Sequence, residues 1–367
     1  MGYEYKKGDL AKMRKKKALQ EREWYNLRSL LGYDWAMFYF LLGGRETGKS
    51  YATTDFFVHQ WKRYKRPFYW LRLTEASQKK LLQNNAEKLI DPALKRKYDL
   101  DIITSGENVY EVVERDEKGK VKKKELMARV MALSTFYNDK GSGLFDQDFL
   151  KDENMYYNIC LDEMNREANE KNSFDIVYAF VNQLENLVRS TKERVRVICI
   201  GNTLQEASDL LCAFNFIPDT FGRFKLKKKR AVIEYMAPNE AYKERRKGTI
   251  ADIVSPESST FTNEVAMDRE LICKERLKKP ISLIMFTKER GDWFTVWESQ
   301  NGKVVIAKYN KENVKNVYAM RGYLDKFFDK ERKQIIIDKF NNRSFYFRDL
   351  STQKMFQRCM KLLKPNA

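Results

Sequence analysis

The chain has 367 residues, 43% of them hydrophobic and 33% charged, with a formal net charge of +19. That length allows two or three domains with cores of their own, and the longest apolar run, the eight residues from Trp35 to Leu42, excludes a membrane span. The five cysteines (Cys160, Cys199, Cys212, Cys273 and Cys359) form no CxxC pair and read as reduced cytosolic core residues, and no apolar secretory signal opens the chain.

In chain order, residues 1–35 read as a basic helical lead-in. Phe38 to Leu42 then reads as a short buried strand that breaks on two glycines, and Ser50 to Tyr64 carries apolar positions at helical spacing. Between them lies GGRETGKS, in which Gly43, four residues, then Gly48, Lys49 and Ser50 have the P-loop spacing. The backbone of Gly43, Gly44, Arg45, Glu46, Thr47 and Gly48 and the helix N-terminus form a cradle for phosphate oxygens, with glycine where a β-carbon would block approach. Lys49 is placed to reach the β- and γ-phosphates and Ser50 to hold Mg²⁺. Arg45 either folds over the phosphates or points to solvent. His59, the one histidine, falls in the following helix and reads as a surface or packing residue.

PFYWLRL at 67–73 is the next strand, interrupted by Arg72 near its end. Residues 75–98 are predicted helical, and 102–134 alternate like a β meander with EKGK as a hairpin turn. DKGSGLFDQD at 139–148 is a glycine-containing loop. YYNICLDE is a buried strand ending in two acids, 173–193 has helical period, and VRVICIGN at 195–202 is another buried strand. This alternation predicts an α/β fold with a parallel sheet flanked by helices. A basic hairpin-like FKLKKKRAVIEYM follows, then a polar linker. ISLIMF, DWFTVWES and GKVVIAKY are β-rich, and 320–341 and 351–363 have helical patterns, so the chain should end in a small α+β unit. The expected division is 1–240, a linker at 241–272, and 273–367. From Cys273 onward the chain holds 22 Lys and Arg against 10 Asp and Glu. Such a bias favours a polyanionic partner, nucleic acid first.

The P-loop alone says phosphate binding; the acids decide the chemistry. A buried strand would deliver Asp162 beside the P-loop to hold the Mg²⁺ shell, and Glu163 would orient or deprotonate a water. That pair favours hydrolysis. With no NKxD, and no DxxG at the second acidic motif, ATP is preferred to GTP. Asn202 reads equally as a γ-phosphate sensor and as a simple Gly-Asn turn. Arg189 reads either as a finger reaching a neighbouring subunit's γ-phosphate or as a charge complementing a helix C-terminus, as Lys192, Arg194 and Arg196 also do.

GGRETGKS, NICLDE and LVRSTKERVRVICIGN, followed by a basic tail of roughly a hundred residues, resemble the phi29-type bacteriophage DNA-packaging ATPases. FYWLRL and FNFIPDTFGRF are also family-like, and the match thins after Ile233, with NEVAMDRELI as the best echo. The resemblance implies an ASCE-type P-loop NTPase followed by an RNase H-like domain without a nuclease site. It implies a homomeric ring motor, a pentamer, at the portal of a prohead in the host bacterial cytoplasm, driving double-stranded DNA inward with ATP and Mg²⁺. It also implies a structural RNA on the prohead as partner, Arg189 as the finger acting in trans, and Lys140 as a DNA-facing pore lysine. Glu75 departs from a basic residue in a relative, which weakens any contact carried to that position.

The resemblance to a vestigial nuclease has its own check in the residues. A two-metal nuclease needs several carboxylates converging on one point, yet ISLIMF carries none, Asp292 falls in a predicted turn and Glu298 stands alone at a strand end. No DNA cleavage is expected. Two further classes remain for comparison: a large-terminase-like ATPase that also cuts DNA, and a nucleotide-gated scaffold that binds nucleic acid without sustained turnover.

Overall fold

The computed structural model describes residues 25–44, 47–138, 155–165, 174–189, 191–201, 208–218, 220–237, 244, 247–254, 270–288 and 290–363. Arg45, Glu46, Lys140 and Asn202 lie outside them. The chain divides into two compact units, Met1–Glu206 with Thr220–Val265, and Ala207–Asp219 with Ala266–Ala367. Residues 207–219 thus leave the middle of the chain to join the C-terminal unit.

The first unit is built on a nine-stranded sheet. Its strands are β1 (Phe38–Leu42), β2 (Phe68–Arg72), β3 (Ile102–Ser105), β4 (Asn108–Arg115), β5 (Val121–Ala132), β6 (Tyr157–Leu161), β7 (Val195–Gly201), β8 (Gly222–Leu226) and β9 (Ala231–Tyr235). They lie in the order β3-β4-β5-β2-β6-β7-β1-β9-β8. From β5 to β9 every neighbour is parallel, with Phe38 opposite Val197 on one side and Ala231 on the other. The antiparallel β3–β4 and β8 extend the two ends. Continuous apolar runs such as FYFLL, buried at its last four positions, are what a sheet covered on both faces requires. β7 separates the strand before the P-loop from the strand carrying the acids, which is the ASCE order expected from the resemblance.

Helix α1 (Lys49–Tyr64) packs Phe57 and Trp61 onto this sheet. Phe57 is fully buried, with its ring 5.1 Å from Phe68 and 6.4 Å, edge-on, from Trp70. Phe57→Ala is expected to destabilise the unit by about 3–5 kcal/mol through lost transfer energy and an unfilled cavity. A chemical-denaturation midpoint unchanged from wild type would contradict that packing.

The expected helix over 75–98 is two helices. In α2 (Glu75–Ala86) the regular backbone ends at Gln83, and Asn84 and Asn85 take left-handed conformations with φ of 51° and 53°. Asparagine tolerates that region. Asp91 then caps α3 (Pro92–Tyr98) by accepting a hydrogen bond from the Ala93 N–H at 2.7 Å, with proline at the first turn. Helix α4 (Ile176–Val188) is shorter than the 173–193 pattern; the Asp175 carboxylate caps it and Arg189, at φ 47°, ends it.

In the second unit, β10 (Leu277–Met285), β11 (Trp293–Ser299) and β12 (Val304–Lys308) form an antiparallel meander. β13 (Val317–Ala319) joins β10 in parallel and the two-residue β14 (Tyr346–Phe347) joins β12. A meander with a parallel strand beside its first member is the core arrangement of an RNase H-like sheet. The short α5 (Asp209–Ala213) and the longer α6 (Lys330–Asn341) and α7 (Leu350–Lys361) complete the unit. Phe356 of α7 is fully buried among Phe286, Phe294, Phe340, Phe345 and Phe347, with centroids 5.1–5.9 Å away. The 320–341 pattern resolves into a 3-10 segment, Gly322–Phe327, and α6, which starts where Asp329 accepts from the N–H groups of Glu331 and Arg332.

Candidate functional site

In a parallel sheet all strand C-termini lie on one edge, and loops leaving adjacent strands meet there. Three backbone hydrogen bonds stitch this edge together. The Gly43 N–H donates to the Gly201 carbonyl at 3.3 Å, Asp162 N–H to Leu71 at 3.0 Å, and Met164 N–H to Ile200 at 2.9 Å. The P-loop and the acid pair therefore emerge side by side.

Two glycines are required by this geometry. A β-carbon on Gly43 would lie 3.0 Å from the Met236 β-carbon, and Gly48 takes φ 83° where the loop turns into α1, a region costly for other residues. The turn aims the buried Lys49 back across the loop. Its Nζ donates to the Gly43 carbonyl at 3.1 Å, to Thr47 Oγ1 at 3.0 Å, and to the Gly44 carbonyl. Burial pushes the ammonium down to about 8, against the opposing pull of the Asp162 carboxylate.

Ser50 Oγ donates to Asp162 Oδ1 at 3.2 Å. This hydroxyl and carboxylate are hard oxygen ligands, and their separation is close to the ~3 Å edge of an octahedron with ~2.1 Å metal–oxygen distances. The pair therefore fits Mg²⁺. Asp162 Oδ1 also accepts the Glu163 N–H at 3.1 Å. Glu163 itself is held at φ 56°, a conformation costing about 1–3 kcal/mol that recurs where function over-determines the backbone. The result is a divided pair: the Asp162 side chain is 10% exposed and facing Ser50, that of Glu163 52% exposed.

Arg72 is the residue whose role sequence reasoning missed. From the end of β2 its Nη1 donates to Asp162 Oδ2 at 2.8 Å and its Nη2 to Glu163 Oε2 at 2.6 Å, while its side chain is 11% exposed. One guanidinium spans both acids. The signal was present: a charge closing an otherwise apolar strand must find a buried partner, and the nearest strand-end acids were the ones already singled out.

Other expected residues lie elsewhere. Arg189 is exposed at the C-terminus of α4. Because α4 returns from the end of β6 to the start of β7, Arg189 lies toward the sheet's opposite edge, where the Arg194 carbonyl accepts from the Tyr157 N–H at the beginning of β6. Arg196 is half-buried on β7, donating to Asn158 Oδ1 at 2.9 Å and stacked over Tyr156 and Phe56. In the second unit Asp292 accepts from Thr287 Oγ1 at 3.0 Å, and Glu298 pairs with Lys278 at 3.4 Å. Among the described residues no three His, Cys, Asp or Glu side chains cluster to hold a metal ion, and no helix is long and apolar enough to cross a membrane.

Comparison with known proteins agrees with this architecture. The DNA packaging protein of Bacillus phage phi29 is 25% identical over 304 residues, spanning 81% of this chain and 82% of its own. That of Bacillus phage PZA is 24% identical over 306 residues, with the same coverage. Among solved structures, the bacteriophage Phi-29 viral genome packaging motor assembly matches with a TM-score of 0.61 at 20% identity, covering 93% of this chain and 100% of that one. The Phi-28 gp11 DNA packaging motor gives 0.60 at 15% identity, covering 95% and 100%. The model for the podovirus DNA encapsidation protein (Gp16) matches residues 19–352. With most of its length matched, and a P-loop facing two acids at one sheet edge, the chain belongs to the podovirus DNA encapsidation protein (Gp16) family.

Proposed function

We propose that this protein is the ATPase of a phage packaging motor, hydrolysing ATP to drive double-stranded viral DNA into a preformed prohead. The observation that carries the reading is the meeting of Lys49, Ser50, Asp162 and Glu163 at one sheet edge. The Lys49 ammonium exchanges its loop carbonyls for β- and γ-phosphate oxygens, a gain available only to a polyanionic ligand. Ser50 and Asp162 would hold Mg²⁺, which would supply positive charge to screen the phosphates. Glu163 accepts a proton from the attacking water. Arg72 bonds Glu163 through Oε2, so Oε1 is the oxygen left to accept that proton. Arg189 serves the nucleotide of an adjacent subunit, and Asn202 and the P-loop residues Arg45 and Glu46 complete the phosphate shell. Lys140 contacts DNA. Similarity to packaging motor assemblies supports an oligomeric motor, and the sequence resemblance extends the proposal to a ring of five identical subunits with the portal and a prohead RNA as neighbours. The test is DNA encapsidation on purified proheads, with ATP turnover followed in parallel. Protein that assembles on proheads but shows no DNA-stimulated hydrolysis would remove the motor reading.

The depressed Lys49 value gives a further expected result. Phosphate binds the protonated amine and raises its proton affinity, so binding takes up a proton when Lys49 is neutral beforehand. ATP affinity should therefore be flat below a pH of about 8 and weaken above it, by up to about tenfold per pH unit. Lys49→Arg, which stays charged, should lose that upper limb. Equilibrium titration with a fluorescent ATP analogue reads both, and a flat wild-type profile would mean that Lys49 is already charged in the free protein above a pH of about 8.

A further inference from the structure

The sheet edge opposite the nucleotide carries a charge cluster that the hydrolytic chemistry does not use. It is assembled from segments far apart in sequence: the connection from α4 into β7, and the hairpin from β8 into β9. Lys225 is exposed near the end of edge strand β8, and Lys227, Lys228 and Lys229 form an exposed 3-10 turn before β9. Lys192 is exposed on the other connection. Arg230 ties the two together, its Nη1 donating to the Lys192 carbonyl at 2.7 Å and its Nε to the Trp35 carbonyl at 3.4 Å.

Neither bond neutralises the arginine, since both acceptors are carbonyls. Asp34 and Glu193 are the acids on the adjoining turns, and none of the six cations forms an ion pair with a carboxylate among the described residues. β7 and β9 flank β1, so the two connections are ~10 Å apart. Six like charges held in that space repel one another, and an opposite charge density removes the repulsion. A lysine on an edge strand has a sufficient reason in blocking strand pairing. That account covers Lys225 but not three successive lysines beyond the strand.

We propose that this edge is a contact surface for the phosphate backbone of duplex DNA, separate from both the nucleotide edge and the C-terminal unit. Duplex DNA offers about one charge per 1.7 Å of axis, a density matching the cluster. A second copy of the chain, which the nearby Arg189 is proposed to meet, is a poor complement to the lysine turn itself, because the chain carries a net charge of +19. Lysine ammoniums contact phosphates as point charges, so the surface binds without reading sequence. The proposal rests on the packaging reading only for the identity of the polyanion.

The experiment is a salt titration of full-length protein with a fluorescent random-sequence DNA duplex, comparing wild type with the triple variant Lys227→Gln, Lys228→Gln, Lys229→Gln. Each lost phosphate contact lowers the log–log salt slope by about 0.9, so a decrease approaching three is expected, with weaker binding at every salt concentration. The triple Lys→Arg variant should keep the wild-type slope, and DNA-free ATP turnover should be the same in all three proteins. A Gln variant with the wild-type slope and affinity overturns the surface while leaving the motor reading intact. A loss confined to duplex RNA, with DNA binding unchanged, also overturns it. Wild-type protein that fails to bind duplex DNA at all sinks the packaging reading as well.

Discussion

Glu163→Gln should lower steady-state ATP hydrolysis by about 10²- to 10⁴-fold, the usual contribution of a positioned general base, while ATP affinity stays within a few-fold of wild type. The substitution removes one proton-accepting oxygen and little else. Glutamine has the same length, its backbone N–H still donates to Asp162 Oδ1, and its amide oxygen can accept from Arg72 in place of the carboxylate. Ser50 and Asp162 are untouched, so the metal-holding pair survives. Lys49→Ala differs in kind: it deletes the ammonium that replaces loop carbonyls by phosphate and should remove ATP binding itself. A coupled ATPase assay beside equilibrium binding separates the two. Turnover in the Gln variant within a few-fold of wild type would take Glu163 out of the water's path, and loss of binding there would mean that the two acids act together on the metal.

Much of this site was legible because its signals are local. The run FYFLL followed by glycines and Gly-Lys-Ser fixes a strand, a turn and a helix within a few residues, and the structure begins α1 at Lys49. NICLD reads as a buried strand because Ile159, Cys160 and Leu161 run apolar up to the acid; the one polar residue before it, Asn158, is buried by accepting from Arg196. Neighbour order in the sheet came through the family resemblance and not from the residues themselves. Nothing in VRVICIG states that β7 inserts between β1 and β6, since only packing of the crossover helices decides it. Arg72 was lost for the same reason. Its partners are 90 and 91 positions away, and periodicity carries no information over that range. Local chemistry also misled at 75–98: the Lys-, Leu- and Gln-rich composition favours helix, and it conceals the left-handed backbone at Asn84 and Asn85. The mid-chain residues 207–219 show the limit at domain scale. Leu210, Leu211 and Cys212 bury in the second unit, and their sequence position gives no hint of it.

The α4 crossover also sets the terms for Arg189. Gln183, in its second half, donates to Met131 Sδ at 3.5 Å beside the C-terminal end of β5, so the six residues from there to Arg189 lead ~9 Å back along the sheet. Arg189 is thus directed away from the acids of its own chain, which supports the proposed role at a neighbour's γ-phosphate. Arg189→Ala is expected to bind ATP as wild type does and to hydrolyse it about 10³- to 10⁵-fold more slowly, the range for an arginine that stabilises transferring phosphate charge. Mixing gives the sharper result. Arg189→Ala subunits keep an intact nucleotide site, and Lys49→Ala subunits keep an intact arginine. Each variant alone should be inactive on proheads, whereas mixed rings should regain turnover at junctions where the first subunit's nucleotide faces the second subunit's Arg189. The recovered rate should pass through a maximum near equal proportions. Mixtures as inactive as their components, under conditions where wild-type and variant subunits demonstrably co-assemble, would place the arginine's effect within its own chain and end its assignment as a finger.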